Sequence, residues 1–264
     1  GAVRRWWAPQ IAERSQLSFD EAADRVKEGF LQSIRLHLRS DVPLGAALSG
    51  GLDSSAVVCA MRHVAMDHPI HTFSYVAAGS ELNEEKWADL VNRHVGAIAH
   101  KVIVTPPELL RDLDDMILAQ GEPFGSTSIY AQYRVYQLAK ENGITVTLDG
   151  QGADEMLAGY SGYPGPRLHS LLETGHWVRA AQFLNAWSKW PGRSRTAGLK
   201  LAVAEMTDGA LYQTLRWLSG RQAIPAWIRG DVLAQCNVAL RHPRQRPEVG
   251  EPGRRVVAEL AHAL

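Results

Sequence analysis

Asp41 to Met61 reads DVPLGAALSGGLDSSAVVCAM, and the order of residue types in this stretch decides the fold. A short apolar run, PLGAALS, is interrupted by Gly50 and Gly51 and followed by DSSAVVCAM, which predicts strand, tight loop, helix. Two glycines let the backbone turn sharply and approach a ligand without side-chain obstruction. The helix N-terminus behind them offers unpaired N–H groups that favour an anion. Ser49, Ser54 and Ser55 add hydroxyl donors. Asp53 is out of place in an anion site unless a cation, magnesium being the natural one, bridges it to phosphate. Leu48 to Ser55 therefore predicts a phosphate cradle. No GK[ST] follows, which excludes the loop whose lysine grips β- and γ-phosphates. Neither G-x-G-x-x-G nor an acidic ribose partner appears at the expected spacing, which excludes the dinucleotide fingerprint.

Outward from this loop, strands and helices alternate. Ser18 with Glu21 three residues later is a capping-box signature, and Phe19, Ala23, Val26, Phe30, Ile34 and Leu38 recur at helical spacing, predicting an amphipathic helix to about Ser40. Ile70 to Val76 reads as a strand, Asn83 as the cap of a helix through about Val95, and Lys101 to Thr105 as a third strand. Pro106 and Pro107 open a helix to about Leu118, Ser126 or Ser128 opens another to about Lys140, and Ile144 to Leu148 is a buried strand. A parallel neighbour needs a long crossover, so this alternation implies a doubly wound α/β fold with a parallel sheet over the first 160 residues. After Gly165 the strand signal vanishes, and Leu168 to Trp190, Gly198 to Trp217 and Ile228 to Leu240 read as helices. We expect an N-terminal arm and helix over 1–40, a nucleotide-binding core over 41–163, and a helical extension of the same domain over 164–264.

Composition narrows the function classes. The 264 residues hold 28 Lys plus Arg and 28 Asp plus Glu, so zero net charge gives no reason to expect a nucleic-acid partner. At 45% hydrophobic and 21% charged the chain can build a packed, soluble core. No uncharged run approaches the ~18 apolar residues of a membrane helix, and GAVRRWW lacks a signal core, so we expect no membrane partner and a cytoplasmic location, or an excised domain. Cys59 and Cys236 form neither a metal spacing nor a disulfide framework and read as packing residues. The histidines show no H-x-x-x-H pairing, which argues against zinc. Trp177, Trp187 and Trp190 fall near helical spacing and read as a core stripe. Glu122, between two helices at the ligand edge, is either a site residue or a helix-end charge.

A second cluster, LDGQGADEMLAGY over Leu148 to Tyr160, again places glycines and two acids, Asp154 and Glu155, where a strand gives way to a helix. Ligands of doubly wound sheets bind at strand carboxyl ends, so both loops can face one crevice. SGGLDSS is the signature of the PP-loop ATP pyrophosphatase superfamily. The pair DVPLGAALSGGLDSS and LDGQGADEMLAGY resembles the C-terminal synthetase domain of glutamine-hydrolysing asparagine synthetases, over about Arg4 to Tyr163. That resemblance implies a fold of the adenine nucleotide alpha hydrolase type, with ATP and Mg2+ as cofactors. It implies an ATP-dependent carbon–nitrogen ligase that adenylates a carboxylate, aspartate in the family, and then transfers ammonia or an amine.

By similarity, Ser49, Gly50, Gly51, Asp53, Ser54 and Ser55 hold the pyrophosphate part of ATP, the Leu48 backbone and Gly150 lie near the adenosine, and Asp149 is a further nucleotide-binding residue. The backbone at Tyr75 contacts adenine. Asp53 and Asp154 match acids associated with magnesium, and Asp53, Gln151 and Asp154 are the catalytic candidates. Three departures stand out. Gln151 replaces a glutamate credited with handling ammonia's proton, and an amide is no general base. The family's glutaminase half, with its N-terminal Cys nucleophile, is missing here and is expected N-terminally in the full-length protein. No R-V-P-F-L-D type segment follows. A homodimer is the oligomer that we expect. Two rival readings are kept: an amide, lactam or peptide cyclase resembling β-lactam synthetase or lasso-peptide cyclases, favoured by Gln151, and a nucleotide-binding module without turnover. A tRNA-thiolating relative is disfavoured by neutral charge and the lack of paired reactive cysteines.

Overall fold

A computed structural model describes residues 4, 6, 17–81, 83–122, 124–126, 128–160, 162–207 and 230–236. It divides into two compact units, Arg14–Ala153 and a second made of Gly1–Glu13 with Asp154–Leu264. The first unit carries α1 (Phe19–His37), β1 (Leu44–Ala47), α2 (Leu52–Val64), β2 (His71–Tyr75), α3 (Glu85–Val95), β3 (Ile98–Val102), α4 (Pro106–Gln120), α5 (Ser128–Glu141) and β4 (Val146–Leu148). The strands form a four-stranded sheet in the order β3-β2-β1-β4, and every pairing is parallel. The doubly wound α/β expectation is thus met. Steps from β1 to β2 to β3 run one way, and β4 then returns to the other flank of β1, so the strand order reverses between β1 and β4. In such sheets that reversal is where a crevice opens at the carboxyl ends.

Burial explains the sheet's sequence. Leu44 and Ala46 on β1 and Phe73 on β2 are buried, as are Val57, Val58 and Met61 on α2. Gly45 leaves room for the Phe73 ring, since a Cβ there would lie 2.7 Å from Phe73 Cε2. Two polar contacts fix the layers: Thr72 Oγ1 donates to Asn92 Oδ1 at 2.7 Å, tying β2 to α3, and Arg62 Nε donates to the Val95 carbonyl at 2.7 Å, tying α2 to the end of α3. Between α4 and α5, Arg134 donates to Asp112 at 3.1 Å and Glu108 at 3.3 Å, and the Tyr130 hydroxyl donates to Asp112 at 2.7 Å. Hydrogen bonds from Arg111 and Tyr130 hold the Asp112 carboxyl down at about 2.

Several boundaries differ from the sequence expectation. The Ser18 capping box forms as read, but α1 ends at His37, and its stripe packs only in its second half. Ile34 is buried, with Phe30, Leu31 and Leu38 against the same cluster, whereas Phe19 and Val26 are exposed. The third strand lies at Ile98–Val102 rather than Lys101 to Thr105. Gly96, left-handed at φ 63°, ends α3 and delivers the chain straight into the ladder with β2, while Thr105 caps α4 through a capping box with Glu108. Asn83 supports α3 from one residue further out, its Oδ1 accepting from the Glu85 amide at 3.0 Å. In β4 only Val146–Leu148 is strand; Ile144 is buried just before it.

The second unit is helical, with α6 (Ala153–Leu157) at its boundary, then α7 (Pro164–Glu173), α8 (Trp177–Trp187), α9 (Arg195–Met206) and α10 (Gly230–Gln235). The single helix expected over Leu168 to Trp190 is two helices, broken at Gly175 with φ 74°. Leu168 and Leu171 of α7, Ala180 of α8 and Ala202 of α9 form its core. The tryptophan stripe is core only in part: Trp177 and Trp190 are 66% and 64% exposed, whereas Trp187 is half-buried against Gly198 of α9. Cys59 is half-buried beside the first unit's core, but Cys236 is exposed, contrary to the packing role expected of it. The arm over most of 1–16 and the helices expected beyond Thr207, apart from α10, lie outside the described residues.

Candidate nucleotide site

The β1 strand ends at Ala47 and hands the chain to a turn whose backbone is fixed from both sides. The buried Leu48 amide donates to the Phe73 carbonyl at 2.9 Å, and its own carbonyl accepts from Ser74 Oγ at 2.6 Å. Gly50 takes φ 92°, a left-handed conformation that favours glycine. A Cβ there would also sit 2.7 Å from the Glu84 carbonyl oxygen and 3.1 Å from the Ala88 amide nitrogen. Thus the start of α3 closes on the turn, and only a bare Cα fits between them.

Past the turn, Gly51 is the N-cap of α2 and supplies no side-chain cap. Its amide donates to Ser49 Oγ at 3.1 Å, and the Ser55 amide already donates to the Gly51 carbonyl at 3.1 Å. That leaves the Leu52, Asp53 and Ser54 amides without an intrahelical acceptor, the arrangement that makes a helix N-terminus attractive to an anion. Ser54 is buried and braces the turn: its Oγ accepts from the Ser49 amide at 3.3 Å, lies 3.0 Å from Ser49 Oγ, and donates to the Gly51 carbonyl at 3.3 Å. Ser54 therefore shapes the loop. Asp53 and Ser55 are half-buried beside it.

The loop after β4 reaches the same place. A Cβ on Gly150 would lie 2.8 Å from the Ser54 amide nitrogen and 2.9 Å from both Asp53 C and Asp53 Cβ. Backbone therefore touches backbone where the two motifs meet, inside the first unit. Asp149 shapes its own loop: its Oδ1 accepts from the Gln151 amide at 2.9 Å, and its Oδ2 accepts from the Tyr136 hydroxyl at 3.4 Å. Burial and that carboxylate push the Tyr136 phenol up. The Gln151 side chain is exposed. Tyr75 ends β2 on the same sheet edge, partly exposed. Asp154 and Glu155 open α6 in the second unit. Gly159 lies against the Asp154 carboxylate, where an added Cβ would meet Asp154 Oδ1 and force that side chain to turn aside. Glu155 accepts from the Tyr160 hydroxyl at 2.5 Å, which lowers the carboxyl and pushes the phenol up to about 12. Glu122 is exposed in the α4 to α5 loop.

Sequence reasoning missed two contributors. Ser74, buried on β2, and Glu84 at the start of α3 fix the turn through backbone and hydroxyl contacts, and neither stands out in a strand or helix pattern. Among the described residues no group of three or more His, Cys, Asp or Glu gathers to hold a metal ion, and no helix is long and apolar enough to cross a membrane.

A parallel α/β sheet with a glycine turn and free helix amides at its switch point defines the class: a PP-loop type fold. The profile of the asparagine synthase family matches residues 25–247, and the chain belongs to that family. It is 31% identical over 152 residues to asparagine synthetase [glutamine-hydrolyzing] 1 of Bacillus subtilis, covering 57% of this chain and 23% of that protein. It is 34% identical over 134 residues to a putative asparagine synthetase [glutamine-hydrolyzing] 2 of Methanocaldococcus jannaschii, covering 51% and 26%. With asparagine synthetase B [glutamine-hydrolyzing] of Escherichia coli it shares 30% over 181 residues, covering 61% and 31%. The chain thus spans about a quarter to a third of the length of these relatives.

Proposed function

We propose that this chain is the synthetase portion of an ATP-dependent amide-forming ligase. In this reading residues 41–163 hold ATP and 164–264 extend the same domain. One observation carries it: Gly150 lies against the Asp53 and Ser54 backbone at distances only glycine allows, which supports a single anion-binding surface built by the two motifs. The donor types suit a triphosphate: the Leu52 to Ser54 amides have no intrahelical acceptor, and Ser49 and Ser55 carry hydroxyls in the same turn.

Ser49, Gly50, Gly51, Ser54 and Ser55 bind the β- and γ-phosphates, the Leu48 backbone, Asp149 and Gly150 border the adenosine, and the Tyr75 backbone meets adenine. Asp53 and Asp154 are the acids to hold Mg2+, an ion that needs few protein carboxylates because phosphate oxygens and water complete its shell. When bound it supplies positive charge to the departing pyrophosphate. A carboxylate oxygen of the acceptor, aspartate by kinship, attacks the α-phosphorus, the bond to the β-phosphate oxygen breaks, and pyrophosphate leaves. The loop amides and hydroxyls offset the charge that builds on the phosphorus. Ammonia or an amine then attacks the acyl carbon, the carbon–nitrogen bond forms, AMP leaves, and the nitrogen sheds its extra proton.

Gln151 cannot take that proton at neutral pH. Its exposed amide favours a role in orienting the acceptor, and it also supports a second reading, a cyclase that joins an amine to an acid within one substrate. A glutaminase domain ahead of this chain in the full-length protein, a cytoplasmic location and a homodimer complete the proposal. The test is exchange of labelled pyrophosphate into ATP by the full-length protein, screened with aspartate and other acids. Acid-dependent exchange is expected; its absence with every acid, in a protein that binds ATP, leaves a binding module without turnover.

A further inference from the structure

Within the second unit lies a cavity of about 310 Å³ walled by Tyr160, Tyr163, Phe183 and Trp187 with Arg167 and Arg193. That volume is at the small end of ligand sites and suits a molecule built around one ring. We propose that it binds a small carboxylate carried on a planar apolar group, with the ring among the aromatic walls and the carboxylate on the two guanidiniums. The proposal goes beyond the nucleotide reading and does not depend on it.

Three features set this ligand chemistry. First, the charge in the wall is of one sign. Among the described residues no acidic side chain lines the cavity, and neither Arg167 nor Arg193 joins an ion pair there. Arg193 is already held, its guanidinium 5.3 Å from the Trp187 ring centre and 5.9 Å from that of Trp190, so little side-chain freedom remains to be lost when an anion arrives. Second, the backbone at the start of α7 offers the anion little. Pro164 and Pro166 open α7 without N–H groups, and the Tyr163, Gly165 and Arg167 amides donate to the Tyr160, Gly162 and Tyr163 carbonyls. A phosphate cradle is built from free amides. Here the donors are planar guanidinium forks, whose geometry matches a carboxylate.

Third, the aromatic wall is fixed and neutral. Tyr160 and Tyr163 stack with ring centres 6.3 Å apart. The Tyr160 hydroxyl donates to Glu155, and its phenol, pushed up to about 12, keeps its proton. The chain turns past this wall through Ala158, the one non-glycine residue with positive φ among those described, at 56°. Such a conformation is kept only where its surroundings hold it.

The test titrates phenylacetate into the 264-residue chain by calorimetry, with phenylacetamide and aspartate as comparison probes. Saturable binding of phenylacetate is expected, with phenylacetamide and aspartate each weaker by about tenfold or more, the scale of a lost charge-assisted hydrogen bond or a lost ring contact. Arg167→Ala and Arg193→Ala should each cost about tenfold, and the double variant should abolish binding. Arg193→Lys, which keeps the charge but loses the fork and its stacking, should fall between. Both arginines are exposed, so a melting temperature like that of the parent shows that each variant is folded. No saturable binding of phenylacetate, equal binding of phenylacetamide, or parent-like binding by the folded double variant overturns the proposal.

Discussion

The sheet unit and the helical unit build their candidate binding surfaces from opposite materials. In the sheet unit the surface is backbone: Gly50 and Gly150 bring main chain within contact distance of main chain, and the donors are amides at the start of α2. In the helical unit the surface is side chain, four aromatic rings and two guanidiniums around a cavity beside the start of α7, where the Tyr163, Gly165 and Arg167 amides are spent and Pro164 and Pro166 have none. A backbone surface demands particular residues at particular positions, because one added methyl closes it. A side-chain surface tolerates change at its edges and draws specificity from charge and ring placement.

This contrast is sharpest in the glycines. Gly150→Ala places a Cβ on the Ser54 amide and Asp53, where neither neighbour is a flexible tip, and should cost about 1–3 kcal/mol by overpacking. Gly50→Ala adds backbone strain of about 1–3 kcal/mol at φ 92° to a similar clash. Both should lower the urea midpoint and remove measurable ATP binding while leaving phenylacetate binding intact. Loss of both ligands together in a folded variant would break the contrast between the two surfaces.

Next in size is Asp53→Asn, which keeps the loop's shape and removes its charge. ATP affinity in the presence of Mg2+ should fall by about tenfold or more, with a smaller change in its absence. Equal affinity in both conditions would take the ion away from Asp53.

A smaller effect separates scaffold from site. Asp112 has its carboxyl held near 2, so the stability it contributes is fully present above the ordinary carboxylate pKa of about 4 and is lost as pH falls from there toward 2. Asp112→Asn should therefore be less stable than the parent at pH 6 and should converge with it near pH 2, as read by denaturant midpoints. A gap that widens in acid would contradict the assignment. Smallest of all, Gln151→Glu at an exposed position should shift stability by less than about 0.5 kcal/mol. It should also raise ammonia-dependent product formation, because it restores a carboxylate able to take a proton.

The same contrast explains what the sequence reveals. The turn after β1 is legible because its glycines are needed by φ or by close approach, and such needs leave a fixed string of residues. The parallel sheet is legible from the alternation of short apolar runs and capped helices. The third strand is misplaced because the apolar run around Val102 to Val104 outweighs Ile98, an exposed edge residue that belongs to the ladder. The break at Gly175 is hidden by apolar residues that continue in helical period on both sides. The cavity leaves no string at all, since its walls come from residues near 160, at 167, 183 and 187, and at 193, and only folding puts them together. Trp190 shows how an aromatic spacing that reads as core serves instead to hold Arg193, while Trp187 does both, half-buried against Gly198 and facing the guanidinium.

The central claim is that the turn after β1 and the loop after β4 form one surface for the phosphates of ATP. Amide NMR of the chain titrated with a non-hydrolysable ATP analogue and Mg2+ tests it directly. The largest shifts should fall on Ser49 to Ser55 together with Gly150 to Gly152, and should disappear in Gly150→Ala. Saturable nucleotide binding that leaves these amides unmoved, or moves only one of the two loops, would contradict it.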